Sequence, residues 1–247
     1  MAFTHYRTYG FVFKKEDKGE ADRLFTIFTF DYGRIQVLGR AIRKITSKLG
    51  SGIGLFCLSE IEFIQGENYK TLTDAQIIEK YETLEKDSKK LKTAFKISDV
   101  LNSFIPFEER DEKILDLTVD VFRKLNKIPD SQRWILFYYF LWNFFSVLGY
   151  QPELHNCSLC QKKLIPANLY FSSKEGGIIC KNCKIDKDKA EKISPELIKI
   201  LRIIFNENWQ LLSKIKIGFN HKKELMKISK IYYFYLLSLF RQSDKMN

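Results

Sequence analysis

Cys157-Ser158-Leu159-Cys160 and Cys180-Lys181-Asn182-Cys183 are two C-x2-C knuckles separated by nineteen residues, 161–179. Knuckles about 15–20 residues apart have the spacing of a structural zinc site. The reason is geometric. A tight turn brings two thiolates onto one ion at about 2.3 Å, and a second turn completes the tetrahedron. The filling supports the same reading, because Phe171-Ser172-Ser173-Lys174-Glu175-Gly176-Gly177-Ile178-Ile179 reads as two short strands around a Gly-Gly turn. The stretch is expected to be a zinc ribbon in which Cys157, Cys160, Cys180 and Cys183 hold one structural Zn2+. Two disulfides, or a set of free thiols, are the alternative fates of these side chains. A four-cysteine site is coordinatively closed, so the metal is expected to hold the fold and to do no chemistry. His155 reads as a surface residue of the approach loop.

The rest of the composition agrees with a reducing compartment. Of five cysteines, four lie in the knuckles, and Cys57 sits in the apolar run Leu55-Phe56-Cys57-Leu58, where a buried, inert thiol is expected. No basic segment followed by an apolar run opens the chain, so no signal peptide is expected. The most apolar stretch, Trp134 to Leu148, contains Asn143 and Ser146 and is too short to cross a bilayer. A soluble, cytoplasmic protein is the expectation. The formal charge is +11, and it is uneven: residues 1–80 carry +2, 81–150 carry 0, 151–183 carry +2 and 184–247 carry +7. Such a balance points to an acidic partner, nucleic acid first and an anionic membrane surface second. A Lys-rich surface that only solvates the protein is the bland alternative.

From Tyr6 to Thr73 short β-type runs alternate with turn signals. Tyr9–Lys14, Leu24–Thr29, Arg34–Gly39, Leu55–Ile64 and Lys70–Thr73 make five strands at roughly ten-residue spacing, which predicts a small closed β-barrel. Between Gly33 and Leu49 stand Arg34, Arg40, Arg43, Lys44 and Lys48 with no acidic residue. This segment is expected to be a mobile basic loop at a barrel mouth whose five cations clamp phosphates. Barrels of this size bind single strands with a basic groove and aromatic platforms. Phe11, Phe13, Tyr32 and Phe63 are the candidate platforms, although alternate strand positions must also fill the barrel.

The remainder reads as helical. Ala75 to Phe104 shows helical periodicity, ended by Pro106. Asp111 is a plausible N-cap for a helix to Lys127, and Asp130 or Ser131 starts an aromatic helix over Trp134–Leu148 closed by Gly149. Ser194-Pro195-Glu196 opens a helix to about Trp209, and a last one runs from about Lys222 to Phe240. The fold class is multidomain α+β: an N-terminal five-stranded OB-like β-barrel over residues 1–78, followed by an α-helical domain over 79–247 with the ribbon inserted at about 154–186. No Gly-rich phosphate loop, carboxylate pair or Ser/His/Asp order stands out, and three histidines leave enzyme chemistry little to work with.

Gly19-Glu20-Ala21-Asp22-Arg23-Leu24, with Thr29, Gly33 and then Arg43-Lys44-Ile45-Thr46-Ser47-Lys48-Leu49, resembles the N-terminal signature of the RecO family of recombination-mediator proteins. The likeness continues through Phe56–Glu62 and resumes at Leu148-Gly149-Tyr150-Gln151-Pro152-Glu153-Leu154, Cys157-x-x-Cys160, Phe171-Ser172 and Gly176-Gly177. One departure is Ala41, where the family commonly carries glycine. The resemblance implies a bacterial DNA repair and recombination mediator without catalytic activity, associated with the nucleoid during repair. It would bind single- and double-stranded DNA, anneal complementary strands, and act with RecR and single-stranded DNA-binding protein to load RecA at gaps. The +7 surplus beside aromatics in the C-terminal helices is a natural place for that binding protein's acidic tail. A zinc-ribbon protein–protein adaptor without annealing activity is the alternative class. A nuclease would need a metal with an open position, which four cysteines do not offer.

Overall fold

The computed structural model describes residues 4–184 and 190–243. Five strands, β1 (His5–Lys18), β2 (Asp22–Thr29), β3 (Gly33–Gly39), β4 (Cys57–Ile64) and β5 (Lys70–Lys80), close a barrel in the order β1-β2-β3-β5-β4. Neighbours are antiparallel except β3 and β5, which run parallel and meet through Val37↔Lys70 and Leu38↔Thr71. This is the expected OB-like barrel. Its interior is filled by Val12, Phe25, Ile27, Ile35, Val37 and Phe63.

β1 departs from simple alternation, since Phe11, Val12 and Phe13 are all fully buried. Val12 belongs to the barrel core, whereas Phe11 packs 4.5 Å from the Phe122 ring of a helix outside it. Ser98 Oγ of another helix donates to the Phe13 carbonyl at 2.6 Å. The strand is thus covered on both faces. Phe11, Phe13 and Phe63 are core residues and offer no platform to a base, and Tyr32 packs edge-on against Tyr6 and Phe63.

The helical periodicity from Ala75 misleads. Residues 75–80 continue β5, with Ala75 opposite Ile61, Ile77 opposite Ser59 and Lys80 opposite Cys57. Ala, Gln, Glu and Lys favour helix intrinsically, but the unpaired β4 edge next to them offers a complete ladder, and pairing wins. Helix begins only at α1 (Glu82–Lys86) and α2 (Ser88–Phe104), where the Asp87 side chain caps the Lys89 and Lys90 amides. α3 (Glu112–Lys127) is capped by Asp111 as expected. α4 (Arg133–Val147) is followed by Gly149 at φ +84°, the left-handed stop.

The chain forms two compact units that divide after Phe137, inside α4. The first therefore contains α1–α3 together with the barrel, whereas the expected domain boundary falls after residue 78. The second holds a three-stranded sheet of β6 (Leu169–Ser172), β7 (Gly177–Ile179) and β8 (Glu191–Ile193) in the order β7-β6-β8. The helices α5 (Pro195–Phe205), α6 (Trp209–Leu212) and α7 (Phe219–Ser243) complete it. Ser194 caps α5 through the Leu197 amide, with Pro195 at the first turn. The core of this unit centres on Trp142, stacked on Tyr232 at 5.3 Å and donating from Nε1 to Ser229 Oγ at 2.9 Å. Among the described residues, no helix is long and apolar enough to cross a membrane.

Ala41 adopts φ +52° while its N–H donates to Asp22 Oδ1 at 2.7 Å. That is a glycine conformation held by a side-chain acceptor, which accounts physically for a glycine preference there. Ala41→Gly is expected to stabilise the barrel unit by about 0.5–1 kcal/mol, strain relief outweighing the added chain entropy. The check is the urea midpoint, rising at constant m-value.

Candidate functional site

Cys157, Cys160, Cys180 and Cys183 come together with their Sγ atoms within 4.8 Å of one another. An ion 2.3 Å from four sulfurs sets them about 3.8 Å apart, so the cluster has the size of one tetrahedral metal site. The Cys160 and Cys180 sulfurs stand 4.0 Å apart. Each knuckle is shaped by its backbone. In the first, Gln161 N–H returns to the Cys157 carbonyl at 2.9 Å, with Gln161 itself at φ +58°. In the second, Cys183 N–H returns to the Cys180 carbonyl at 3.1 Å.

Sheet and knuckles are sewn together at Gly177, where a Cβ would lie 2.5 Å from the Glu153 carbonyl oxygen and 2.6 Å from Ser158 Oγ. Only glycine lets the approach strand at Glu153 pair there. Glu153 also accepts from the His155 and Asn156 amides, which hold its carboxyl below the usual range. His155 is exposed and stands outside the thiol group.

The electrostatics suit a cation. Burial alone would push the Cys157 thiol up, but backbone N–H groups of Cys160, Cys180 and Leu159 outweigh it and bring it down to about 6. Hydrogen bonding with Cys180 and Cys160 pushes Cys183 up to about 12. A divalent ion bound by the four thiols would displace their protons. Sequence reasoning missed β8, whose Ile193 pairs with Leu169, because three residues carry no periodicity.

The predicted phosphate clamps are not equivalent. Arg34 belongs to β3 rather than to a loop, and it is 8% exposed. Its Nη1 donates to the carbonyls of Asn102 (3.1 Å) and Ile105 (2.6 Å), and its Nη2 donates to Asn102 Oδ1 at 2.7 Å. The guanidinium thereby satisfies the open carbonyl end of α2, and Phe107 covers it at 4.2 Å. Burial lowers its pKa, with no carboxylate opposing the shift. Arg34 is therefore a structural cation and not a clamp, which corrects its assignment.

The other four lie on the segment from Arg40 to Lys48, exposed. Its first half is tied down rather than loose. Ile42 is buried, Arg43 N–H donates to the Ala21 carbonyl at 3.0 Å, and the Arg43 guanidinium reaches Gly19 and Asp17. Asp17 also accepts from Arg23, and that bond leads in holding its carboxyl below the usual range. Arg40, Lys44 and Lys48 project around this anchor. Arg40 also lines a cleft of about 550 Å³ over the β4–β5 turn, with Gln65, Asn68 and Tyr69.

A five-stranded barrel with helices packed on it, joined in one chain to a helical unit that carries a four-thiol ribbon, defines a two-unit class of protein. Sequence comparison gives the class its name. Residues 1–81 match the N-terminal model of Recombination protein O and residues 85–245 match its C-terminal model. The chain belongs to the RecO family.

A protein named DNA repair protein RecO from Dehalococcoides mccartyi is 30% identical over 86% of this chain and 83% of its own length. The protein of that name from Caldanaerobacter subterraneus is 28% identical over 90% of this chain and 89% of its own. That from Halalkalibacterium halodurans is 29% identical over 92% and 88%.

Proposed function

We propose that the chain is a cytoplasmic DNA repair and recombination mediator. It binds single- and double-stranded DNA through the Arg40–Lys48 segment, anneals complementary strands, and acts with RecR and single-stranded DNA-binding protein to load RecA at gaps. It makes and breaks no bonds. The observation that supports this reading is the grouping of Arg40, Arg43, Lys44 and Lys48 on one exposed barrel segment of a RecO-family chain. Two DNA strands repel one another, and a basic surface that neutralises phosphates on both raises their local concentration.

The four-thiol centre takes one structural Zn2+ in this reading. Thiolate donors select soft or borderline metals, and a tetrahedral set of four suits zinc. With all four positions filled by protein, the ion supplies rigidity and no reactive site.

The test is fluorescence-monitored annealing of complementary oligonucleotides across a salt series, with the binding slope measured alongside. Four phosphate contacts on a single strand predict a slope of log K against log salt of about −2.8, and neutralising Arg43 and Lys44 together should reduce it by about 1.4. A slope near zero, or no acceleration by folded, metal-loaded protein, would remove the clamp and the mediator reading with it.

A further inference from the structure

We infer that the cleft beside the basic segment is a stacking site for the bases of a single nucleic-acid strand, with Tyr69 and Phe107 as its platforms. The inference rests on the DNA-binding reading above and assigns the bases a place that the phosphate clamps do not.

Two adjoining clefts, of about 550 and 200 Å³, share Gln65, Asn68 and Tyr69. The larger is lined also by Arg40, the first cation of the basic segment, and the smaller also by Phe107. Tyr69 is 37% and Phe107 53% exposed, two large rings open to solvent among the lining of these clefts. Phe107 is a prepared platform. Its backbone follows the start of β3, with Glu108 N–H donating to the Arg34 carbonyl at 2.8 Å, and the Arg34 guanidinium lies beneath the ring at 4.2 Å. A ring held from below loses little freedom when a base lands on its outer face, so more of the stacking energy appears as affinity.

The charge pattern assigns the cleft to bases rather than phosphates. Lys70 is already paired with Glu108 at 2.8 Å, Arg34 is occupied by α2 carbonyls, and Glu67 lies on the rim. Besides Arg40, the clefts are lined by the amide side chains Gln65 and Asn68 and the rings Tyr69 and Phe107, suited to base edges and base faces. A strand whose phosphates follow Lys48, Lys44, Arg43 and Arg40 would deliver its bases into this cleft.

The experiment compares labelled oligothymidylate with an abasic oligonucleotide of equal length, so that phosphates are constant and bases are not. The full 247-residue chain is expected to bind oligothymidylate at least tenfold more tightly than the abasic strand. Tyr69→Ala and Phe107→Ala should each reduce oligothymidylate affinity about tenfold, leaving abasic binding and the salt slope unchanged. Tyr69→Phe should retain wild-type affinity. Phe107→Leu, which keeps an apolar cover on Arg34, should behave as Phe107→Ala and separates lost stacking from a disturbed fold. Equal affinity for both strands, or full affinity in Tyr69→Ala and Phe107→Ala, overturns the stacking site while salt-dependent binding of the abasic strand leaves the clamps standing. Binding of neither strand overturns both.

Discussion

Replacing Cys157 or Cys180 by serine is expected to empty the thiol centre and to loosen the second unit while leaving the barrel folded. The metal should fall from one ion per chain to a small fraction, since losing one of four thiolates forfeits much of the roughly 10 kcal/mol or more that such sites contribute. The damage should spread by a defined route. β6 runs from the ribbon into the helical core, and its Phe171 packs against Trp142 at 6.1 Å and Tyr232 at 5.3 Å. Once the knuckles part, β6 and β7 keep only their three-pair ladder, and the Phe171 wall of Trp142 loosens.

Calorimetry should show a lowered transition for the second unit, and amide exchange should show lost protection there with β1–β5 unchanged. Acid works in the same direction, because protons compete with the ion for thiolate. A protein that melts identically before and after complete chelation would refute the structural role.

Gly33→Ala should be strongly disruptive in the first unit, because it combines a blocked Cβ with a left-handed backbone. A Cβ there would stand 2.1 Å from the Glu109 carbonyl oxygen and 2.7 Å from Arg110 N, and Gly33 lies at φ +60°. The obstructing atoms are backbone, so residues 109–110 must move, taking Glu108 off the Arg34 carbonyl and Phe107 off the Arg34 guanidinium. Together, strain and lost contacts are expected to cost about 3 kcal/mol or more. Gly19 is the control. It shares the conformation at φ +57° but has nothing within 4 Å of its Cβ, so Gly19→Ala should cost only about 1 kcal/mol. Urea denaturation of the two variants separates steric blockage from conformational strain, and equal losses would deny that the 107–110 segment docks on β3.

What the sequence makes legible follows from how local the signal is. The knuckles and the caps at Asp111 and Ser194 are decided within a few residues, and each is where it was expected, while the hairpin turn spans 173–176 with Gly177 already in β7. Residues 75–80 were misread because their composition is helical while their partner, β4, lies elsewhere in the chain. Arg34 was misread for a similar reason. Beside Gly33 it resembles the start of a basic loop, and only the arrival of Asn102 and Ile105, some seventy residues later, shows its charge to be spent. Tyr69 was overlooked although it is a lone aromatic in a polar run, Gly66-Glu67-Asn68-Tyr69-Lys70, whereas Phe107 follows the apolar Phe104-Ile105 and offered no such signal. For Tyr69 that isolation was the available signal, because a ring with no apolar neighbours in its own segment has no local core to join.

The closure of the barrel has a consequence of its own. β3 and β5 meet through two residue pairs, far fewer than any other neighbouring strands in it, so this is the seam along which the cylinder would breathe. Leu38 and Thr71, one of those pairs, line the larger cleft. A strand lying there would bridge the seam and brace it. Occupancy and barrel rigidity become linked quantities: whatever tightens the seam raises the fraction of molecules ready to bind, and each bound strand repays that by holding the cylinder shut.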